Sequence, residues 1–170
     1  DTAELFFDDV RVPVDNRLGE ENKGFNYLFH QLAWERLIIA IRAAQCIETL
    51  LEETIEYTRD RRAFGKAIFD YQNTRFKLAE VKAKATMLRA FVDNCIAKVL
   101  TDDLSAEEAA MAKLVGSELQ GELLDELLQL HGGYGFMTEY KVSRAWVDAR
   151  VARIYGGTSE IMKEIIARSL

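Results

Sequence analysis

A single proline, Pro13, and only ten glycines punctuate 170 residues. Proline and glycine interrupt helices and populate turns, so their scarcity after residue 24 constrains the chain to long, nearly uninterrupted helices. The apolar spacing divides those helices cleanly. An amphipathic pattern runs from Asn22, in N-cap position, to about Arg59, where Asp60-Arg61-Arg62-Ala63-Phe64-Gly65-Lys66 breaks it. A second pattern covers Asp70 to about Leu100. The third opens on Ser105-Ala106-Glu107-Glu108, a capping box, and stops at His131-Gly132-Gly133. Two shorter helices are predicted near Glu139 to Ala152 and Ser159 to Arg168, separated by Tyr155-Gly156-Gly157-Thr158. Three long and two short helices joined by brief loops predict an all-α, antiparallel helical bundle.

The N-terminal residues read differently. Leu5-Phe6-Phe7-Asp8-Asp9-Val10-Arg11-Val12 has the aromatic and β-branched content of a strand closed by Pro13. A lone strand can neither pair its backbone nor bury a face, so residues 1–19 are expected to be the end and linker of a preceding β domain, and residues 20–170 the bundle. With 49% hydrophobic residues the chain can bury a sizeable core, yet no apolar run approaches the roughly 20 residues of a membrane span. The net charge of −6 and the lack of any Lys/Arg block argue against nucleic acid as a partner. No basic-then-apolar leader pattern is seen, so no export or organelle signal is expected in this stretch, and the expected location is a bacterial cytoplasm, or the mitochondrial matrix if the source is eukaryotic. Cys46 and Cys95 lack metal spacing and fall in apolar helical patterns, as free buried thiols do.

Few residues are candidates for chemistry. A di-iron bundle needs Glu-x-x-His pairs, and neither His30 nor His131 has one, so no metal site is expected. Glu35 is unusual: at about 100° per residue, Leu28, Leu32, Ile39 and Cys46 fall within roughly 60° of it, placing a carboxylate inside an apolar stripe. Such a group is either used or neutralised, with Arg36 and Arg42 as available partners. Arg61 and Arg62 beside Phe64 complement a helix end, or form a fork and ring suited to a nucleotide cofactor. Tyr155-Gly156-Gly157-Thr158-Ser159-Glu160 feeds a helix N-terminus whose N–H groups can hold a phosphate or a polarised carbonyl oxygen.

Taken in order, Arg61-Arg62-Ala63-Phe64-Gly65-Lys66, Gln72, Gln129-Leu130-His131-Gly132-Gly133-Tyr134-Gly135, Asp148-Ala149-Arg150 and Tyr155-Gly156-Gly157-Thr158-Ser159-Glu160-Ile161 resemble the C-terminal helical domain of the acyl-CoA dehydrogenase family. The resemblance implies FAD-dependent oxidation of acyl-CoA to trans-2-enoyl-CoA. A carboxylate takes the α-proton, flavin takes the β-hydride, and an electron-transfer flavoprotein accepts the electrons. In the commoner subfamilies that base occupies position 156, which here is Gly156. The long-chain and isovaleryl subfamilies place it on the first helix, where Trp34-Glu35-Arg36 matches, so the resemblance assigns Glu35 as the base and looks closest to the long-chain enzymes. It further implies that Arg61, Phe64 and Gln72 contact cofactor across a dimer interface, and that Gln129, Gly132 and Gly133 meet its adenosine half. Thr158 and Glu160 would lie near the flavin and its phosphates. Arg36, Tyr155, Gly156 and Gly157 would face substrate, the Gly156 N–H bonding the thioester carbonyl. A homotetramer, built as a dimer of dimers, is implied. Two other readings stay open: a helical oligomerisation module that has lost the chemistry, and a flavin oxidase-like relative.

Overall fold

The computed structural model describes residues 3–170, so Asp1 and Thr2 of the N-terminal segment lie outside the described residues. Its elements are α1 (Gly24–Asp60), β1 (Arg62–Ala63), β2 (Lys66–Ala67), α2 (Gln72–Leu100), α3 (Ala106–His131), α4 (Lys141–Ala149) and α5 (Ser159–Ala167), with short 3-10 turns between several of them. Two compact units divide the chain, one up to Gln31 and one from Leu32 onward.

In the first unit, residues 3–13 form no strand and expose Leu5, Phe6, Phe7, Val10 and Val12. The expected strand is therefore absent, for the reason that lone strands fail: no neighbour supplies its ladder bonds. A 3-10 turn follows at Val14–Asn16. The Tyr27 hydroxyl then accepts the Glu20 N–H at 2.9 Å. Asn22 is not the N-cap, since its φ of 63° is left-handed and the helix begins at Gly24.

The second unit is the bundle. Buried positions on α2 are Thr74, Leu78, Val81, Ala85, Leu88, Val92 and Cys95, a strict alternation of four and three that keeps one seam inward. On α1 the buried set includes Leu37, Ala40, Ala44, Ile47, Leu51, Thr54 and Thr58, and on α3 Leu123, Leu124 and Leu127. These seams, with Val142 and Ala149 of α4, form one core. Ion pairs fix the sense of the packing: Lys77 meets Glu126, Lys84 meets Glu122 and Lys98 meets Glu108, so α2 and α3 run antiparallel. Gly116 of α3 lets α1 approach closely, since a Cβ there would stand 3.2 Å from the Ala40 Cα. The capping box at Ser105 is formed as the sequence indicates. Helix α4 is shorter than expected: a 3-10 turn at Gly132–Phe136 precedes it, and another at Arg150–Arg153 replaces its last turn. Among the described residues no helix is long and apolar enough to cross a membrane.

Candidate functional site

The break between α1 and α2 folds into a two-residue hairpin, with Arg62 opposite Ala67 and Ala63 opposite Lys66. Phe64 and Gly65 form its tip at φ values of 52° and 88°, the double left-handed conformation of a tight hairpin turn. Phenylalanine is unfavourable there, and its ring is 98% exposed. Bulk, strain and exposure thus coincide at the hairpin tip.

Beside the hairpin, Arg61, Tyr57, Ile68, Gln129, Gly132 and Gly133 line one groove of about 670 Å³. The Arg61 guanidinium lies 5.2 Å from the Tyr134 ring centroid, and Tyr134 stacks on Tyr140 at 5.2 Å. Tyr57 stacks on His131 at 4.3 Å and donates its hydroxyl hydrogen to the His131 carbonyl at 3.2 Å. The His131 Nδ1–H donates to the Leu127 carbonyl at 3.0 Å, and burial pushes the imidazole pKa down, which favours the neutral ring. A Cβ at Gly132 or Gly133 would meet nothing within 4 Å, which leaves the backbone there open to a ligand. A cation on an aromatic plate, an exposed amide side chain and an open backbone suit an anionic group joined to a flat ring. The groove thus brings Arg61, Gln129, Gly132 and Gly133 together. Phe64 stands at the hairpin tip, and Gln72 is the exposed first residue of α2.

A second constellation surrounds the turn before α5. Gly156 and Gly157 have φ values of 66° and 102°. Arg36, 5% exposed, donates from Nε to the Gly156 carbonyl at 3.2 Å. Thr158 caps α5, its hydroxyl accepting the Ile161 N–H at 3.4 Å. The exposed Glu160 carboxyl is held below the usual carboxylate range by its own backbone N–H and by the Thr158 hydroxyl. Tyr155 lines a small pocket with Ile39, Cys46 and Asp148.

Glu35 requires a correction. The stripe predicts burial, but Glu35 is exposed, as is Leu28, and Leu32 and Cys46 are only half-buried, whereas Ile39 is buried. The reason is geometric: helix periodicity assigns a face, and in this chain the core seam of α1 runs through Arg36, Leu37, Ala40 and Ala44. Pairing with a neighbouring arginine is not seen either, as no ion pair to Glu35 occurs among the described residues. Its charge still acts on Arg36, favouring the guanidinium against the larger, opposing effect of burial. A Cβ at Gly156 would stand 2.8 Å from the Ile39 Cδ1. Because residues i and i+4 share a helix face, Glu35 sits one turn from the point where α1 touches the glycine turn.

Sequence reasoning missed Lys113. This side chain on α3 is fully buried, and its Nζ donates to the Gly157 carbonyl at 2.6 Å. The signal was present as a cation inside the small-residue stripe Ala109, Ala112, Gly116 and Ser117.

The family model "Acyl-CoA dehydrogenase, C-terminal domain" matches residues 22–170. The chain is 52% identical over all 170 residues to the mitochondrial long-chain specific acyl-CoA dehydrogenase of Rattus norvegicus, of which it spans 40%. It superposes on 43% of the crystal structure of an acyl-CoA dehydrogenase from Geobacillus kaustophilus, with a TM-score of 0.92 and 43% identity over 96% of this chain. A structure described as the FAD complex of PigA matches with a TM-score of 0.85 and 29% identity, covering 96% of this chain and 43% of that one.

Proposed function

Because the chain belongs to the acyl-CoA dehydrogenase family, as its C-terminal helical domain, we propose that the complete protein oxidises long-chain acyl-CoA thioesters to trans-2-enoyl-CoA. Glu35 is the residue that removes the α-proton. The observation that carries the reading is the approach of α1 to the glycine turn. Ile39 fills the space beside Gly156, Arg36 holds the Gly156 carbonyl, and Glu35 lies one turn away on the side left exposed. A proton beside a thioester carbonyl is a weak acid, so the carboxylate works only if bound substrate and its covering domain strip water from it, while a donor stabilises the oxygen that gains charge. The turn at Gly156 offers that donor as backbone N–H.

The groove fits FAD by its chemistry. Arg61 supplies a cation for the pyrophosphate, Gln129 and the open backbone at Gly132 and Gly133 receive the adenosine half, and the exposed Phe64 ring gains cover. Gln72 contacts the same cofactor, and Thr158 and Glu160 belong to the flavin end. Held by these residues, FAD would supply the acceptor for the hydride that leaves the β-carbon. Arg61, Phe64 and Gln72 of one protomer serve the cofactor of its partner, within a homotetramer that passes electrons to an electron-transfer flavoprotein. Tyr155 and Gly157 line the thioester end.

The test is Glu35→Gln in the full-length enzyme, which keeps the shape and removes the proton acceptor. FAD and acyl-CoA binding stay at wild-type levels, and flavin bleaching by a long-chain acyl-CoA slows by at least about a thousandfold. Bleaching at the wild-type rate shows that the base lies elsewhere.

A further inference from the structure

Lys113 is a lysine with no solvent exposure, buried inside the bundle. An ammonium group with no solvent exposure is destabilising unless it is paired, and among the described residues no carboxylate lies within ion-pair distance of it. Among the described residues its one acceptor is the carbonyl of Gly157. Arg36, the second buried cation nearby, likewise makes its one hydrogen bond to a backbone carbonyl, that of Gly156. An apolar side chain of similar length at position 113 would fill the same volume at lower cost. The location of the two bonds says what the cost is for.

Gly156 and Gly157 are flanked by anchored backbone. The Tyr155 N–H is bonded to the Val151 carbonyl at 3.1 Å, and α5 begins its own ladder with the Met162 N–H on the Thr158 carbonyl at 3.0 Å. Between these anchors neither glycine carbonyl receives a backbone N–H, among the described residues. Two consecutive residues without Cβ, both at positive φ, are the freest backbone a chain can have. The two cations are what remove that freedom. In a trans peptide the C=O and N–H point in opposite directions. A cation drawing on the Gly156 carbonyl therefore turns the Gly157 N–H away from Arg36, and Lys113 on the Gly157 carbonyl turns the Thr158 N–H away from itself. Each bond to a charged donor also polarises its peptide, which makes the opposite N–H a better donor.

We propose that Lys113 is a positioning residue for thioester recognition: with Arg36 it clamps the Gly156–Gly157 and Gly157–Thr158 peptides, fixing the backbone that immediately follows Gly156 and with it the direction of the Gly156 N–H, the donor to the substrate oxygen that gains negative charge as the α-proton leaves. The proposal rests on the functional reading above. The clamp itself is a property of this chain.

The experiment compares wild type with Lys113→Met, which keeps length without charge, and Lys113→Gln, which restores a neutral donor. In the full-length, FAD-loaded enzyme the first readout is acetoacetyl-CoA, a thioester that can ionise at its α-carbon but is not a substrate for desaturation. Ultraviolet absorbance at fixed pH gives the enolate-to-ketone ratio of the bound ligand. Lys113→Met lowers that ratio by at least about tenfold, as loss of part of an oxyanion donor set does, and lowers kcat by a similar factor while KM changes less than about threefold. Lys113→Gln recovers part of both. The second readout needs neither cofactor nor activity: backbone amide exchange at Gly157 and Thr158 in this chain accelerates at least about tenfold in Lys113→Met, while the α2 core amides do not change. Enolate ratios within about twofold of wild type in both variants, or a loss in kcat that only tracks a lost folded fraction, overturn the proposal. Should wild-type enzyme fail to bind acetoacetyl-CoA or to bleach with acyl-CoA, the functional reading has failed, and the exchange rates alone decide the clamp.

Discussion

The two glycines of the turn differ in what they tolerate, and the difference is measurable. At Gly156 the φ of 66° lies in the left-handed well that L residues occupy at a cost of about 1–2 kcal/mol. The atom an added Cβ would meet is the Ile39 Cδ1 at 2.8 Å, the far end of a side chain that can change rotamer. At Gly157 the φ of 102° lies outside that well, where strain for a residue with a Cβ is about 1–3 kcal/mol. The added Cβ would stand 2.6 Å from the Cε of Met162, which has no solvent exposure, and 3.5 Å from the Ile161 Cγ2. Overpacking of this kind costs a further ~1–3 kcal/mol, at the lower end because methionine adapts. Gly156→Ala is therefore expected to destabilise the chain by about 1–2 kcal/mol and Gly157→Ala by about 3 kcal/mol. Urea unfolding followed by circular dichroism separates the two, with unchanged slopes and a clearly lower midpoint for Gly157→Ala. Equal midpoints would refute the reasoning. The same asymmetry means that position 156 accepts a side chain once residue 39 yields, and position 157 does not.

Two further predictions follow from the groove. In the full-length enzyme Arg61→Ala should weaken FAD retention by about 1.5–3 kcal/mol, the range for a hydrogen bond to a charged group, and Tyr134→Leu by about 0.5–1 kcal/mol through loss of the aromatic plate under the guanidinium. Arg62→Ala, whose side chain reaches only the exposed Gly65 carbonyl, is the control, and equal FAD dissociation constants across the set would remove Arg61 from the site. His131 sets an acid limit on the bundle. Burial lowers its pKa below the ordinary 6.5, so the unfolded chain binds the proton more readily than the folded one. Stability is then full above pH 6.5 and declines as pH falls below it. His131→Gln should flatten that decline in urea midpoints between about pH 6.5 and 5, and an unchanged slope would show that the buried imidazole is not its source.

Legibility in the sequence followed the range of the interactions. Helices announce themselves locally, and the capping box at Ser105 and the glycine stop after His131 are as the residues indicate. The hairpin at Arg62–Ala67 went unrecognised because its turn carries Phe64 where asparagine or glycine gives the signal, a substitution tolerable only if something outside the turn compensates. Glu35 exposes a deeper limit. A helical wheel ranks faces by composition, and the apolar face through Leu32 and Ile39 is genuine, but the core of this chain lies along the neighbouring face through Arg36 and Leu37. Two adjacent apolar faces on one helix mean two surfaces to cover. The face through Arg36 and Leu37 is buried in the core, whereas on the other Ile39 is buried beside the glycine turn and Glu35 stays exposed. Lys113 follows the same logic in reverse. Its stripe reads as core and is core, and what the stripe does not reveal is that two peptide carbonyls, about forty residues further on in the sequence, need buried cations to hold them. The residues proposed to carry the chemistry are thus those whose local sequence looks mistaken until a distant or external partner is supplied: a strained phenylalanine, an exposed carboxylate on an apolar face, and a buried lysine with only a carbonyl to hold.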